Sequence, residues 1–300
     1  MAEGILERTE RRVEKAIMQL AAYYAVFGLP LSEVETNSYL NIKTGHLAIR
    51  EALRQLCEDG TLELDHEGFY RLPGQTYHDR ELTNRRQAAL LARARRWSRL
   101  FALLPFVKCV VVVNSAGIGN VRADSDIDLL IVTKPNRIYI TKGILMYGLK
   151  LLGQLENSKH KAGRFSLGMF LTTAGLNWQR DIMATNEPHL AYWLMLAKPV
   201  YGANIWFELL KSSPYVTEAF PNYVWPKSNI RVYSGGLSYL DQLDNKGYRR
   251  HLRHTAGQPK MHTKQAFVRV RPDILNLHAL DQSDKIARRF KRITKTVKST

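Results

Sequence analysis

Cysteine is scarce. Cys57 and Cys109 are the only two in 300 residues, too few and too far apart for a disulfide framework. Both stand in apolar stretches, where a thiol packs as a small hydrophobe, and this usage fits a reducing, cytoplasmic compartment. Long apolar runs are missing as well. The N-terminal MAEGILERTERR is charged from its first turns and has no apolar core of a secretory signal. The best candidate for a span, Ile138 to Leu155, carries Lys142 and Lys150 and falls short of the ~20 apolar residues a crossing helix needs. It reads as a core helix, and no membrane partner is expected.

Negative charge runs out toward the C-terminus. Lys246 to Thr300 holds fifteen Lys or Arg against three Asp, within a chain of net charge +17. Aromatic residues are sparse there too (Tyr248, Phe267, Phe290), which leaves little for base stacking. Polyanion binding through counterion release needs no aromatics, so a nucleic-acid partner stays open. His251, His254 and His262 sit in this cationic stretch with no cysteine nearby, and read as part of a basic patch rather than as metal ligands. Asp284 to Val297 has the pattern of a basic helix.

What is present reads as several units, within the two or three domains that this length allows. Apolar positions recur at helical spacing from Ile5 to Phe27 (Val13, Ile17, Leu20, Tyr24). Gly28, Leu29 and Pro30 stop that helix, and Ser32 with Glu35 forms a capping box that starts a second. A third helix, with Leu47, Leu53 and Leu56 on one side, ends at Asp59-Gly60. Two short extended runs, Thr61 to Leu64 and Phe69 to Leu72, flank the turn Asp65-His66-Glu67-Gly68. Three helices and a hairpin is the order of a winged helix, whose third helix (His46, Arg50, Arg54) would face nucleic acid. Asp79 to Leu104 is a long helical stretch bearing Arg85, Arg86, Arg93, Arg95, Arg96 and Arg99, ended by Pro105. Trp178, Trp193, Trp206 and Trp225 follow the central region and read as core. The expected division is 1–76, winged helix; 77–105, linker helix; 106–226, a central domain; and 227–300, the basic segment.

The chemistry gathers in the central domain. Phe106 to Val113 is a buried-strand pattern with four consecutive valines. The small-residue loop Asn114-Ser115-Ala116-Gly117-Ile118-Gly119-Asn120 follows, of a kind that lets backbone N–H groups approach an anion. Next come Asp126-Ile127-Asp128 and a second apolar strand to Val132. Residues two apart in a strand leave the same face. Two carboxylates side by side against a hydrophobic core are costly unless a cation joins them. Hard oxygen ligands suit Mg²⁺ or Mn²⁺.

The run Asn114-Ser115, then Asp126-Ile127-Asp128, resembles the Gly-Ser…Asp-x-Asp signature of the DNA polymerase β-like nucleotidyltransferases, and is closest to their small bacterial and archaeal members. The likeness is strong over about Val107 to Val132 and continues more loosely to about Trp225. It implies an α+β fold: an N-terminal winged helix, a nucleotidyltransferase domain with a short mixed sheet, and a helical C-terminal part. It also implies NTP and Mg²⁺ as ligands. Asp126 and Asp128 would be the catalytic, metal-binding pair, and Asn114, Ser115, Gly117, Gly119 and Arg122 the nucleotide-binding set. Lys134, Arg137 and Lys142 are further candidate cations by proximity in sequence.

Two departures from the family pattern stand out. Asn114 occupies the usual glycine position, where it would either crowd the phosphates or take the left-handed backbone that asparagine tolerates. The third carboxylate of many active members belongs on a later strand, here Arg164 to Thr172, and no Asp or Glu occurs between Asn157 and Arg180. The leading expectation is therefore a Mg²⁺-dependent nucleotidyltransferase acting on RNA, protein or a small molecule. The alternative is a DNA-binding winged-helix regulator that carries an impaired nucleotide-binding transferase domain.

Overall fold

A computed structural model describes residues 2–157, 159–174, 188–227, 239–256, 267–278 and 283–297; Trp178 and His262 lie outside these. The architecture is α+β. Helix α1 (Ala2–Val26) is followed by α2 (Glu33–Tyr39), α3 (His46–Glu58) and the two-stranded antiparallel ribbon β1 (Glu63–Leu64) and β2 (Tyr70–Arg71). The expected capping box is present: Glu35 N–H donates to Ser32 Oγ at 3.2 Å, and Ser32 N–H to Glu35 Oε2 at 3.0 Å. Asp65 Oδ1 closes the ribbon turn by accepting from the N–H groups of Glu67 and Phe69, each at 2.9 Å. Leu31 joins the ribbon through paired backbone hydrogen bonds with Tyr70.

Helix α4 (Arg80–Phe101), capped by Asp79, leads into a six-stranded mixed sheet. Its strands are β3 (Val107–Val112), β4 (Ile127–Thr133), β5 (Phe165–Thr172), β6 (Lys198–Tyr201), β7 (Phe267–Val270) and β8 (Ile274–His278), in the order β6-β3-β4-β5-β8-β7. Only β4 and β5 run parallel; the other neighbours are antiparallel. The remaining helices are α5 (Asn114–Ile118), α6 (Ile138–Leu151), α7 (Pro188–Leu196), α8 (Ala203–Lys211), α9 (Pro214–Ala219), α10 (Tyr239–Ala256) and α11 (Ser283–Val297). The C-terminal part is therefore more than helical, because β7 and β8 extend the central sheet.

Alternation along β4 sorts the two sides of the sheet. Ile127, Leu129 and Ile131 pack with α4 and α6 on one side. Leu130 and Val132 belong to a second core that also takes in α1, α3, α7, α8 and Ile293 of α11. The N-terminal helices and the sheet thus share one continuous apolar core. Tyr23 of α1 stacks on Tyr192 of α7 with ring centroids 4.3 Å apart, and its hydroxyl lies 3.0 Å from His189 Nδ1. Cys109 is buried, Cys57 is half-buried and both are free thiols. Helix α6 buries Ile138, Tyr139, Leu145 and Leu149 as a core helix should, and no helix among the described residues is long and apolar enough to cross a membrane.

Candidate functional site

The site forms where β3 and β4 deliver their connecting segment. The small-residue segment expected as a loop is in part helical: α5 starts directly after β3 and ends at Gly119, whose φ of 99° closes the turn. Asn114 has φ 55°, the left-handed backbone that glycine takes most easily. Its side chain is committed elsewhere, since Trp193 Nε1 of α7 donates to Asn114 Oδ1 at 2.9 Å. Gly117 lets α5 lie close to the sheet, because a Cβ there would sit 3.0 Å from the Val112 carbonyl oxygen and 3.5 Å from Ala197 Cα. Gln87 of α4 holds the other side of the turn, donating to the carbonyls of Ala116 at 2.7 Å and Gly117 at 3.2 Å.

A cleft of about 520 Å³ opens beside this turn, within the range of small-ligand sites. Ser115 and Asn120 line it from α5 and its exit, Arg122, Asp124, Ser125 and Asp126 from the approach to β4, and Phe27 and His78 from the N-terminal region. Lys161, Lys285 and Arg289 complete the wall. Of the sequence-predicted site residues, Ser115, Arg122 and Asp126 thus meet in one cleft. Asn114, Gly117 and Gly119 shape the turn beneath it. Asp128 is half-buried on β4, paired in register with Ser166 of β5, and stands outside the cleft lining. Asn120 Oδ1 is buried with no hydrogen-bond partner among the described residues.

The carboxylate that β5 does not supply comes from its approach. Gln154 and Glu156 pair with Phe165 through backbone hydrogen bonds of 2.9 and 3.0 Å. This carries the Glu156 side chain into a hydrogen bond with Asp126. Burial, the hydrogen bond with Glu156 and the charge of Glu156 together push the Asp126 carboxyl up from 3.8 to about 6; its own backbone N–H and Lys161 pull the other way. Glu156 was legible in one respect, being the only acidic residue between Asp128 and Asp181.

Lys161, Lys285 and Arg289 were not expected at the site. The cations proposed by sequence proximity are placed differently, apart from Arg122, which pairs with Asp124 at 3.4 Å while lining the cleft. Lys134 follows the far end of β4, Arg137 is ion-paired to Asp241 of α10, and Lys142 is buried under the sheet against Phe170.

Among the described residues no three His, Cys, Asp or Glu side chains are grouped to hold a metal by themselves. The donor set instead fits a cation that arrives with its own oxygen ligands. Asp126 and Glu156 crowd two carboxyl groups together, and a divalent ion would relieve that repulsion. Comparison of the chain with protein-family models, with curated proteins and with solved structures finds no match. The functional reading therefore rests on the geometry and on the motif.

Proposed function

We propose that the protein is a nucleotidyltransferase that takes an NTP into the cleft between Ser115 and Asp126 and transfers the nucleoside monophosphate to an acceptor hydroxyl. The observation that carries this reading is the meeting in one cleft of Ser115, Asp126 and four cationic side chains from three parts of the chain, Arg122, Lys161, Lys285 and Arg289, with Glu156 hydrogen-bonded to Asp126. Such a wall suits a triphosphate better than an apolar or cationic ligand. Ser115 Oγ and the cationic side chains would bind phosphate oxygens. The unpartnered Asn120 Oδ1 would accept from a sugar hydroxyl or a base N–H.

Asp126 and Glu156 would hold Mg²⁺ or Mn²⁺ together with phosphate oxygens, and Asp128, two residues along β4, would add its charge. The ion would supply charge stabilisation at the α-phosphate as the bond to pyrophosphate breaks. In the reaction the acceptor oxygen bonds to the α-phosphorus and pyrophosphate leaves. The hydroxyl proton goes to a carboxylate or to water. Most of the rate would come from positioning and electrostatics.

The test is label transfer. Wild-type protein with α-phosphate-labelled ATP, CTP, GTP or UTP, Mg²⁺, total RNA and cell lysate should move label to an acceptor, and the Asp126→Ala, Asp128→Ala double variant should not. No transfer by the wild type from any of the four nucleotides would overturn the reading. A second reading, nucleotide binding without transfer, draws on the position of Asp128 outside the cleft lining. It calls for Mg²⁺-dependent stabilisation by an NTP with no labelled product.

A further inference from the structure

The cleft is partly built by the C-terminal helix. On α11 the apolar residues Ile286, Phe290 and Ile293 recur at helical spacing and pack against the core that α1 and α7 share. Lys285 and Arg289, one turn apart, face the cleft. Arg288, Lys291, Arg292 and Lys295 are exposed along the rest of the helix. Lys285, Arg289 and Arg292 form one row at spacing four and three; Arg288, Arg292 and Lys295 form the adjoining row. The helix carries six Lys or Arg and a single acid, Asp284. At ~1.5 Å per residue the basic surface from Lys285 to Lys295 is roughly 15 Å long, and about 9 Å of it lies beyond Arg289.

Helix α3, the surface expected to face nucleic acid, is different. Its cations are matched by carboxylates at close range. Glu33 takes Arg50 at 3.0 Å and His46 at 2.9 Å, while Arg54 binds Glu51 at 2.5 Å and also Glu58. Phosphate contacts from α3 would first have to break these pairs. Among the described residues no ion pair joins Lys285, Arg288, Arg289, Lys291 or Lys295 to a carboxylate.

From this contrast we infer that the acceptor is a single nucleic-acid strand, held by its phosphates along the outer face of α11 with its terminal hydroxyl in the cleft. This rests on the transferase reading and gives it a substrate class. A basic amphipathic helix is also a membrane-surface pattern. Here, however, the apolar face is already spent on the core, with Ile293 only 3% exposed, which leaves charge but no insertion surface for a bilayer. A cleft of about 520 Å³ has room for a nucleotide and the end of one strand rather than for a duplex.

The test uses the full chain and the triple variant Arg288→Gln, Lys291→Gln, Lys295→Gln, which changes exposed side chains outside the cleft. Binding of a short fluorescein-labelled single-stranded RNA is followed by anisotropy over a range of KCl concentrations. Removing three phosphate contacts should make the slope of log K against log salt shallower by about 2, with tenfold or greater loss of affinity at low salt. Arg50→Gln, Arg54→Gln should leave the slope alone, and vesicles of anionic phospholipid should not bind. An unchanged slope in the triple variant, loss of RNA binding in the α3 variant, or vesicle binding that the triple variant abolishes would each overturn the assignment. Thermal stabilisation by Mg²⁺ with ATP, CTP, GTP or UTP in turn, read in parallel, keeps the two levels apart. If it persists while the slope is unchanged, only the α11 assignment fails; if it is absent in the wild type, the transferase reading fails and the acceptor assignment with it.

Discussion

Asp126 and Glu156 are joined by a hydrogen bond between their carboxyl groups, although thirty residues of chain and the whole of α6 separate them. Two like-charged groups at this distance cannot both ionise cheaply, so at least one proton or one cation is shared between them. The folded state holds the Asp126 proton to about pH 6, against an ordinary value of 3.8. The sign follows directly. As pH rises from 3.8 toward 6 the unfolded chain releases this proton first, so stability declines through that window.

Asp126→Asn should therefore make the metal-free protein more stable at neutral pH. The gain is on the order of 1 kcal/mol after allowance for the solvent that reaches this half-buried group. The measurement is the urea midpoint with and without EDTA. Mn²⁺ should raise the wild-type midpoint and leave the variant unmoved. A variant less stable than wild type in EDTA would mean that the pair is a structural hydrogen bond rather than a cation seat.

Much of the fold was legible because its determinants are local. The Ser32–Glu35 box, the Asp65 turn and the continuous apolar runs of β3 and β4 need only neighbours in sequence to act. The site was legible where a motif concentrates it, at Ser115, Arg122 and Asp126. The rest depends on distant chain. Glu156 follows a helix end and belongs to no strand pattern; only backbone pairing with Phe165 brings it to Asp126. Lys285 and Arg289 look like any residues of a basic tail until Ile286, Phe290 and Ile293 dock α11 on the core. Strands β7 and β8 were missed for a related reason. Their apolar runs are short and set among basic residues, and they are strands because the edge of β5 offers unpaired backbone groups at Met169 to Leu171.

The turn beneath the cleft makes a second prediction. Asn114 combines a left-handed backbone with the hydrogen bond from Trp193. Asn114→Gly keeps the backbone relaxed and loses the hydrogen bond, at a cost of about 1 kcal/mol. Asn114→Ala loses the bond and adds the left-handed penalty of an ordinary side chain, a further ~1 kcal/mol or more. The order wild type, Gly, Ala in denaturant midpoint is the check. If Ala matched or exceeded Gly, backbone conformation would not be what fixes this residue.

A third prediction concerns a charge unrelated to the site. Lys142 is 6% exposed, its ammonium lies 6.0 Å from the centre of the Phe170 ring, and burial lowers its titration from 10.5 to about 8. A lysine depressed in the folded state is a liability whenever it is charged there. Between about 8 and 10.5 the unfolded chain binds the proton that the folded protein has released, so stability rises with pH across that window. Lys142→Met keeps the stem and removes the charge. The variant should be more stable than wild type below pH 8, by up to about 3 kcal/mol, and should lack the rise above it. Urea midpoints on either side of the window decide the matter. A variant that is less stable near neutral pH would show that the Phe170 ring and the surrounding dipoles more than offset the desolvation of the ammonium.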